Sequence, residues 1–264
     1  MSATQPEPLD PVAAARLADA RRIFTSDLTV AEFAVLEQAG FMPLDLVMGT
    51  SVFHIGWQRQ KLRQSQELTT LTQAMYTARH NAMSRMQTEA DSLGADGVVG
   101  VRLEWRPHGE AAEHIEFIAV GTAITYPAKP RAWARPDGHA FSSHLNVHEF
   151  NLLVGAGWAP MGLVLGTCVY HVAAQGFLQT MGQIGQNTEM PQWTQGNYEA
   201  RESAMSRMQA EAESLGAQGV TGVRFSVQNY IWGVHTMEFY CDGTAIRKVG
   251  EPQRGAPQPV IGMQ

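Results

Sequence analysis

Two histidines hold the same place in a sequence that repeats itself: His54 ends the run Val52-Phe53-His54, and His171 ends Val169-Tyr170-His171. Imidazoles bind zinc and copper, and a carboxylate brought within a few ångströms can complete a modest site. The carboxylates that also recur are Glu116, in HIEFIAV, and Glu238, in TMEFYCD. Should His54 or His171 meet one of these, or a symmetry-related histidine, a divalent heavy metal has ligands. The alternative is structural: His54 shares a strand face with Leu46, Met48 and Val52, as a core or interface histidine bonded to backbone would. Cys168 and Cys241 are open to the same two readings, a metal pair or small core hydrophobes, and with no CxxC spacing the second is the commoner. Met83, Met86, Met205 and Met208 stand at helical spacing, where methionine is more often packing than a soft-metal ligand.

Catalysis has less to build on. There is no nucleophile elbow, no P-loop and no dinucleotide fingerprint; GADGVVG follows a helix and enters a strand, the reverse of what phosphate binding at a helix start requires. Ser84 and Ser206 lie one turn from arginines but have no repeated histidine base within sequence reach. The expectation is a non-enzymatic protein with no catalytic residues and no organic cofactor.

The elements that hold these residues are written twice. Ala82–Leu103 returns as Ala204–Phe225 with 17 of 22 positions identical. Leu71, Met75, Ala78, Ala82, Met86, Ala90 and Leu93 recur every three or four residues and predict an amphipathic helix, with Arg79, Arg85, Gln87 and Glu89 off its stripe. Alanine dominates the stripe, so the helix axis can come close to what it covers. Gly94 and Gly216 follow the last apolar residue, where helices end in the left-handed region. Thr29 with Glu32, and Asn146 with Glu149, have capping-box spacing ahead of a shorter helix that ends at Gly40 and at Gly157. Asp10 and Pro11 open a further short helix in an N-terminal arm.

FMPLDLVMGTSVFHI and its counterpart WAPMGLVLGTCVYHV read as strands. Leu44, Leu46, Met48, Val52 and His54 share one face, Val47, Phe53 and Ile55 the other, so both faces are apolar and both need cover. One long helix per copy covers one face. The other copy and other subunits remain to cover the second, so the pattern itself predicts self-association. From Val98 to Trp105 the residues alternate, with Val99, Val101, Leu103 and Trp105 on one side and Val98, Arg102 and Glu104 on the other. A hairpin centred on Gly109 sets Arg102 opposite Glu116, Glu104 opposite His114 and Arg224 opposite Glu238, as cross-strand partners rather than acid and base. Gly49, Gly121, Gly166 and Gly243, inside strands, predict bulges or close backbone approach.

The 264 residues, 44% of them apolar, suffice for two ordinary cores. Where the pattern lapses it sets boundaries: an arm over 1–22, a first domain over 23–126, a Pro-rich linker over 127–140, a second domain over 141–248 and a tail over 249–264. Segment 173–196, where the copies differ most, reads as a connector or a partner-binding loop, and in the tail Val260, Ile261 and Met263 can dock on a protein partner. A net charge of −6, with lysine only at Lys61, Lys129 and Lys248, leaves no footprint for nucleic acid. The start, MSATQPEP, holds no signal core, and no run approaches the roughly 18 apolar residues of a membrane span. Two cysteines suit a reducing compartment, so the expected location is cytoplasmic.

A family resemblance rests on these residues. Ala78-Arg79, Ala82–Met86, Ala90, Leu93–Ala95, Val98 and Gly121–Ile124, a second set from Ala200-Arg201 to Ile246, and the upstream pieces Leu46–Val52 and Leu163–Val169 resemble the YbjQ-like family, also called "putative heavy-metal-binding" domains. The likeness runs over about 24–126 and 141–248. It implies an α+β fold of two tandem, dodecin-subunit-like domains, each a long helix packed on an antiparallel sheet, and assembly as pentameric rings, with no established reaction. A single-domain form written twice makes five chains ten domains, as two stacked rings or one pseudo-decameric assembly. The expectation is a homopentameric scaffold or interaction module whose chief partner is itself. The alternative is heavy-metal or small-ligand binding between domains or subunits, at His54, His171, Glu116 and Glu238.

Overall fold

The computed structural model describes residues 9–18, 23–54, 64–108, 114–173, 190–229 and 235–251. After α1 (Pro11–Ala18), the first repeat runs α2 (Val30–Gln38), β1 (Met42–His54), β2 (Gln66–Glu67), α3 (Thr69–Ser92), β3 (Gly97–His108) and β4 (His114–Thr125). The second runs β5 (Phe141–Ser142), α4 (Val147–Gly155), β6 (Trp158–His171), α5 (Pro191–Ser214), β7 (Gly219–Asn229) and β8 (Thr236–Lys248). This is the duplicated α+β architecture that the family resemblance implies, built on the repeat that the sequence itself shows. Among the described residues no helix is long and apolar enough to cross a membrane.

Each sheet has four strands, in the orders β1-β4-β3-β5 and β2-β6-β8-β7. The short members are exchanged. In sequence β2 belongs to the first repeat, yet it pairs with β6; β5 belongs to the second, yet it pairs in parallel with β3. Each repeat therefore finishes the other's sheet.

The long helices lie on their sheets with the alanine stripe inward. A Cβ on Gly49 would stand 2.1 Å from the Ala82 carbonyl oxygen, and one on Gly166 1.9 Å from that of Ala204, so glycine marks close helix approach rather than a bulge. Gly94 and Gly216 end these helices with φ of +69° and +68°. Both capping boxes form, Thr29 with Glu32 and Asn146 with Glu149.

Pattern and structure differ at four places. β1 slips against β4 between Pro43 and Asp45, so Leu44 packs under α3 with Val47 and Phe53 instead of sharing a face with Met48 and Val52. β3 carries a bulge: its pairing with β4 slips between Val99 and Arg102, around Gly100 with φ +64°. The added residue breaks the expected alternation, so Val98 joins Val101 under the helix while Val99 packs elsewhere. The ladder also runs on to His108, because each further pair satisfies more backbone groups than an early turn would. As a result Arg102 stands opposite Val120, Glu104 opposite Ile118 and Arg106 opposite Glu116, and in the second repeat Gln228, not Arg224, faces Glu238. Finally, α5 begins at Pro191, so the end of the expected 173–196 loop is helix; proline suits a first helical turn, where its missing N–H costs nothing. Residues 174–189 and the tail from 252 lie outside the described residues.

Leu163 and Val169 of β6 join the core under α3, which is thereby held between the two sheets. Arg79, off the apolar stripe, is buried for that reason, whereas Glu89 is buried against β1 and α1. β6 is buried from Ala159 to His171, with α5 on one face and α3 on the other. A third cluster closes the joint: Leu36, Phe41, Val99 and Ile124 of the first repeat meet Phe141, Val147 and Phe150 of the second.

Candidate functional site

Arg79 leaves α3 on the side turned to the second repeat, and its Nη2 lies 2.7 Å from Glu238 Oε1 on β8. Glu238 also accepts the Thr167 hydroxyl at 2.8 Å. The guanidinium lies over the rings of Phe117, at 4.9 Å, and Tyr240, at 4.4 Å. Aromatic faces and a paired carboxylate compensate the cation for lost water. A carboxylate held this way bolts two domains together, its Oε1 shared between a cation on α3 and a hydroxyl on β6. A second cluster fixes α1: Arg16 reaches Asp45 at 2.5 Å and Glu89 at 3.3 Å, and Glu89 accepts the Met48 N–H at 3.0 Å. Burial raises the pKa of Glu89, against the pull of Met48 and Arg16.

The four residues with metal-ligand chemistry do not converge. His54 ends β1 exposed, its ring centroid 4.9 Å from that of His114, its register partner on β4. Glu116 lies half-buried, opposite Val52. His171 ends β6 buried, in register with Gln66 of β2 and Thr236 of β8. Glu238 is engaged by Arg79. Among the described residues no group of three or more His, Cys, Asp or Glu stands where it could hold a metal ion.

His144 and His148 have a four-residue spacing, yet the helix cap Asn146 falls between them and they share no helix face. His144 instead lies 3.0 Å from the Thr244 hydroxyl; burial lowers its pKa, and Arg224 adds to the effect. Cys168 and Cys241 are buried in the second core as free thiols, and burial pushes each up to about 11. They are protonated at neutral pH, poor nucleophiles and poor ligands. What sequence reasoning missed was Arg79 with Thr167 and Tyr240. Its one available signal was an off-stripe arginine kept in both repeats, as Arg79 and Arg201.

One surface stands out. On β6 the outer positions Leu165 and Val169 are 1% and 0% exposed, whereas their counterparts on β1, Met48 and Val52, are 48% and 51% exposed.

A family model described as "Putative heavy-metal-binding" matches residues 23–127 and 159–248. An encapsulin nanocompartment protein of Mycobacterium tuberculosis is 60% identical over 259 residues, covering 98% of this chain and 99% of that protein. UPF0145 proteins are similar over shorter stretches. One from Methanococcus maripaludis is 42% identical over 59 residues, 22% of this chain and 51% of its own length. One from Thermus thermophilus is 42% identical over 66 residues, 25% of this chain and 54% of its own.

Proposed function

We propose, for a chain that belongs to the YbjQ-like family through both of its repeats, that it is a non-enzymatic scaffold which assembles with itself into a closed ring of five chains in the cytoplasm. The bare outer face of β1 carries this reading. Met48 and Val52 lie open there while the same positions in the second repeat are sealed by α3, and exposed apolar surface of this kind marks an interaction site. Likeness to a protein named for an encapsulin nanocompartment supports a structural part in a protein compartment. Catalysis finds no support in a paired, buried Glu238 or in two protonated thiols.

Heavy-metal or small-ligand binding between subunits is the second reading, favoured by one observation. His54 and His114 stand side by side on the bare face, their ring centroids 4.9 Å apart, so a neighbouring chain would have to supply the remaining donors. Native mass spectrometry of the full chain tests both. A five-chain mass free of metal supports the scaffold, metal retained in fixed ratio to chains supports the second reading, and a single-chain mass at micromolar concentration overturns the scaffold.

A further inference from the structure

The joint between the repeats is built from two unlike surfaces. From the second repeat come β5, α4 and the outer face of its sheet; from the first come the edge of β3, the back of α3 and the ground around Phe41. Because the chain is a duplication, each repeat carries both surfaces, and the chain uses one of each.

The two unused surfaces are the ones left uncovered. Phe141 and Val147 are both 0% exposed in the joint, whereas their counterparts Phe24 and Val30 are 43% and 88% exposed. Ala95–Val99 and Val101 are buried beside β5, while the matching Ala217–Thr221 and Val223 are not. Among the described residues no strand pairs with the outer edge of β7. Gly97 gives the sharpest contrast. A Cβ there would stand 2.3 Å from the Phe141 ring, because that ring sits on the glycine; at Gly219 the nearest atom is Ile246 Cγ1, 3.9 Å away. The seat for a phenylalanine is thus present twice and, among the described residues, filled once.

The segment before α2 is already placed to fill it. Thr25 and Asp27 bond to Asp45 and Thr122 of their own sheet, at 2.7 and 2.5 Å, as Ser142 and His144 bond to the Leu163 amide and Thr244 of theirs, at 3.0 Å each. The side chains match as well: Arg201, 42% exposed where Arg79 is buried, corresponds to Arg79, and half-buried Glu116 to Glu238.

We propose that chains join head to tail by repeating this joint between molecules. Residues 24–25 of one chain add in parallel to β7 of the chain before it, the Phe24 ring seats on Gly219, and Arg201 pairs with Glu116 of the next chain. Such a contact is heterologous and alternates unlike repeats, so a closed ring holds an even number of them. Five chains would make one pseudo-decameric ring, not two stacked rings of like repeats.

This inference rests on the self-assembly reading above, and the test separates the two. Light scattering and native mass spectrometry of the full chain compare wild type with Gly219→Val, Arg201→Glu, Glu116→Arg and the Arg201→Glu/Glu116→Arg double variant. Among the described residues a Cβ at Gly219 makes only an ordinary contact, with Ile246 Cγ1 at 3.9 Å, so Gly219→Val should keep wild-type circular dichroism and fall to the single-chain mass. Each charge reversal should raise the concentration needed for assembly by about tenfold or more, and the double variant should restore it. If all variants assemble like wild type, chains join by another surface: the head-to-tail joint is overturned and the scaffold survives. A single-chain wild type sinks both. If Gly219→Val loses its secondary structure, the charge series decides alone, with rescue supporting the joint and failure of rescue overturning it.

Discussion

Arg79 and Glu238 meet at 2.7 Å across the joint between the repeats, and neither side chain is more than 3% exposed. Removing one partner strands the other charge out of water, which costs about 3–5 kcal/mol, whereas replacing both by apolar groups of similar size is often close to neutral. Arg79→Ala and Glu238→Ala should each lower stability by about that amount in urea denaturation, and Arg79→Met with Glu238→Leu should recover most of it. Wild-type stability for Arg79→Ala would mean that the pair does not hold the joint.

The glycines divide into two kinds with different expected costs. Gly49→Ala and Gly166→Ala drive a methyl into the backbone of the covering helix, 2.1 and 1.9 Å from a carbonyl oxygen. Relief requires the helix to lift off its sheet, so each should lose about 1–3 kcal/mol or more. Gly94→Ala has open space around it but a φ of +69°, and should lose about 1–2 kcal/mol through backbone strain alone. Denaturant midpoints give the order directly, and a backbone shift at residues 82–86 is expected only for Gly49→Ala.

How much of this was legible depended on how locally it was encoded. The helix stripe from Leu71 to Leu93, the capping boxes at Thr29 and Asn146 and the stops at Gly94 and Gly216 are fixed by residues a few positions apart, and the structure keeps all of them. Arg79 was not legible: off the stripe it looks solvated, and it is buried only because β6, some ninety residues away, covers the back of α3. The register of β3 with β4 failed for a mixed reason. Gly100 is visible in GVVGV, but its left-handed φ and the slip it causes belong to the paired strands together. Of the candidate ligands, the repeat pointed to His54 and His171 as equivalents, whereas the fold leaves the first open and covers the second.

That difference is testable. His54→Ala removes an exposed side chain at a strand end and should change stability by no more than about 0.5 kcal/mol. His171→Ala empties a site that is 1% exposed and should lose about 2–4 kcal/mol from lost packing and polar contacts. Thermal melts of the two variants side by side read the contrast; equal melting temperatures would contradict the burial of His171.

His144 makes stability depend on pH. Its pKa in the folded chain is lowered from 6.5, chiefly by burial and next by Arg224, while Asp242, Glu149 and the Gly222 backbone pull the other way. The unfolded chain therefore takes up this proton first as pH falls, and where the unfolded state binds more protons stability rises with pH. The contribution is complete above the unfolded pKa and is lost as pH drops through about 6.5 and below. His144→Gln keeps a polar group near Thr244 and cannot titrate. Its unfolding free energy should run parallel to wild type from about pH 7.5 upward and fall less steeply between about pH 6.5 and 5. Parallel curves over the whole range would assign the acid sensitivity to another group.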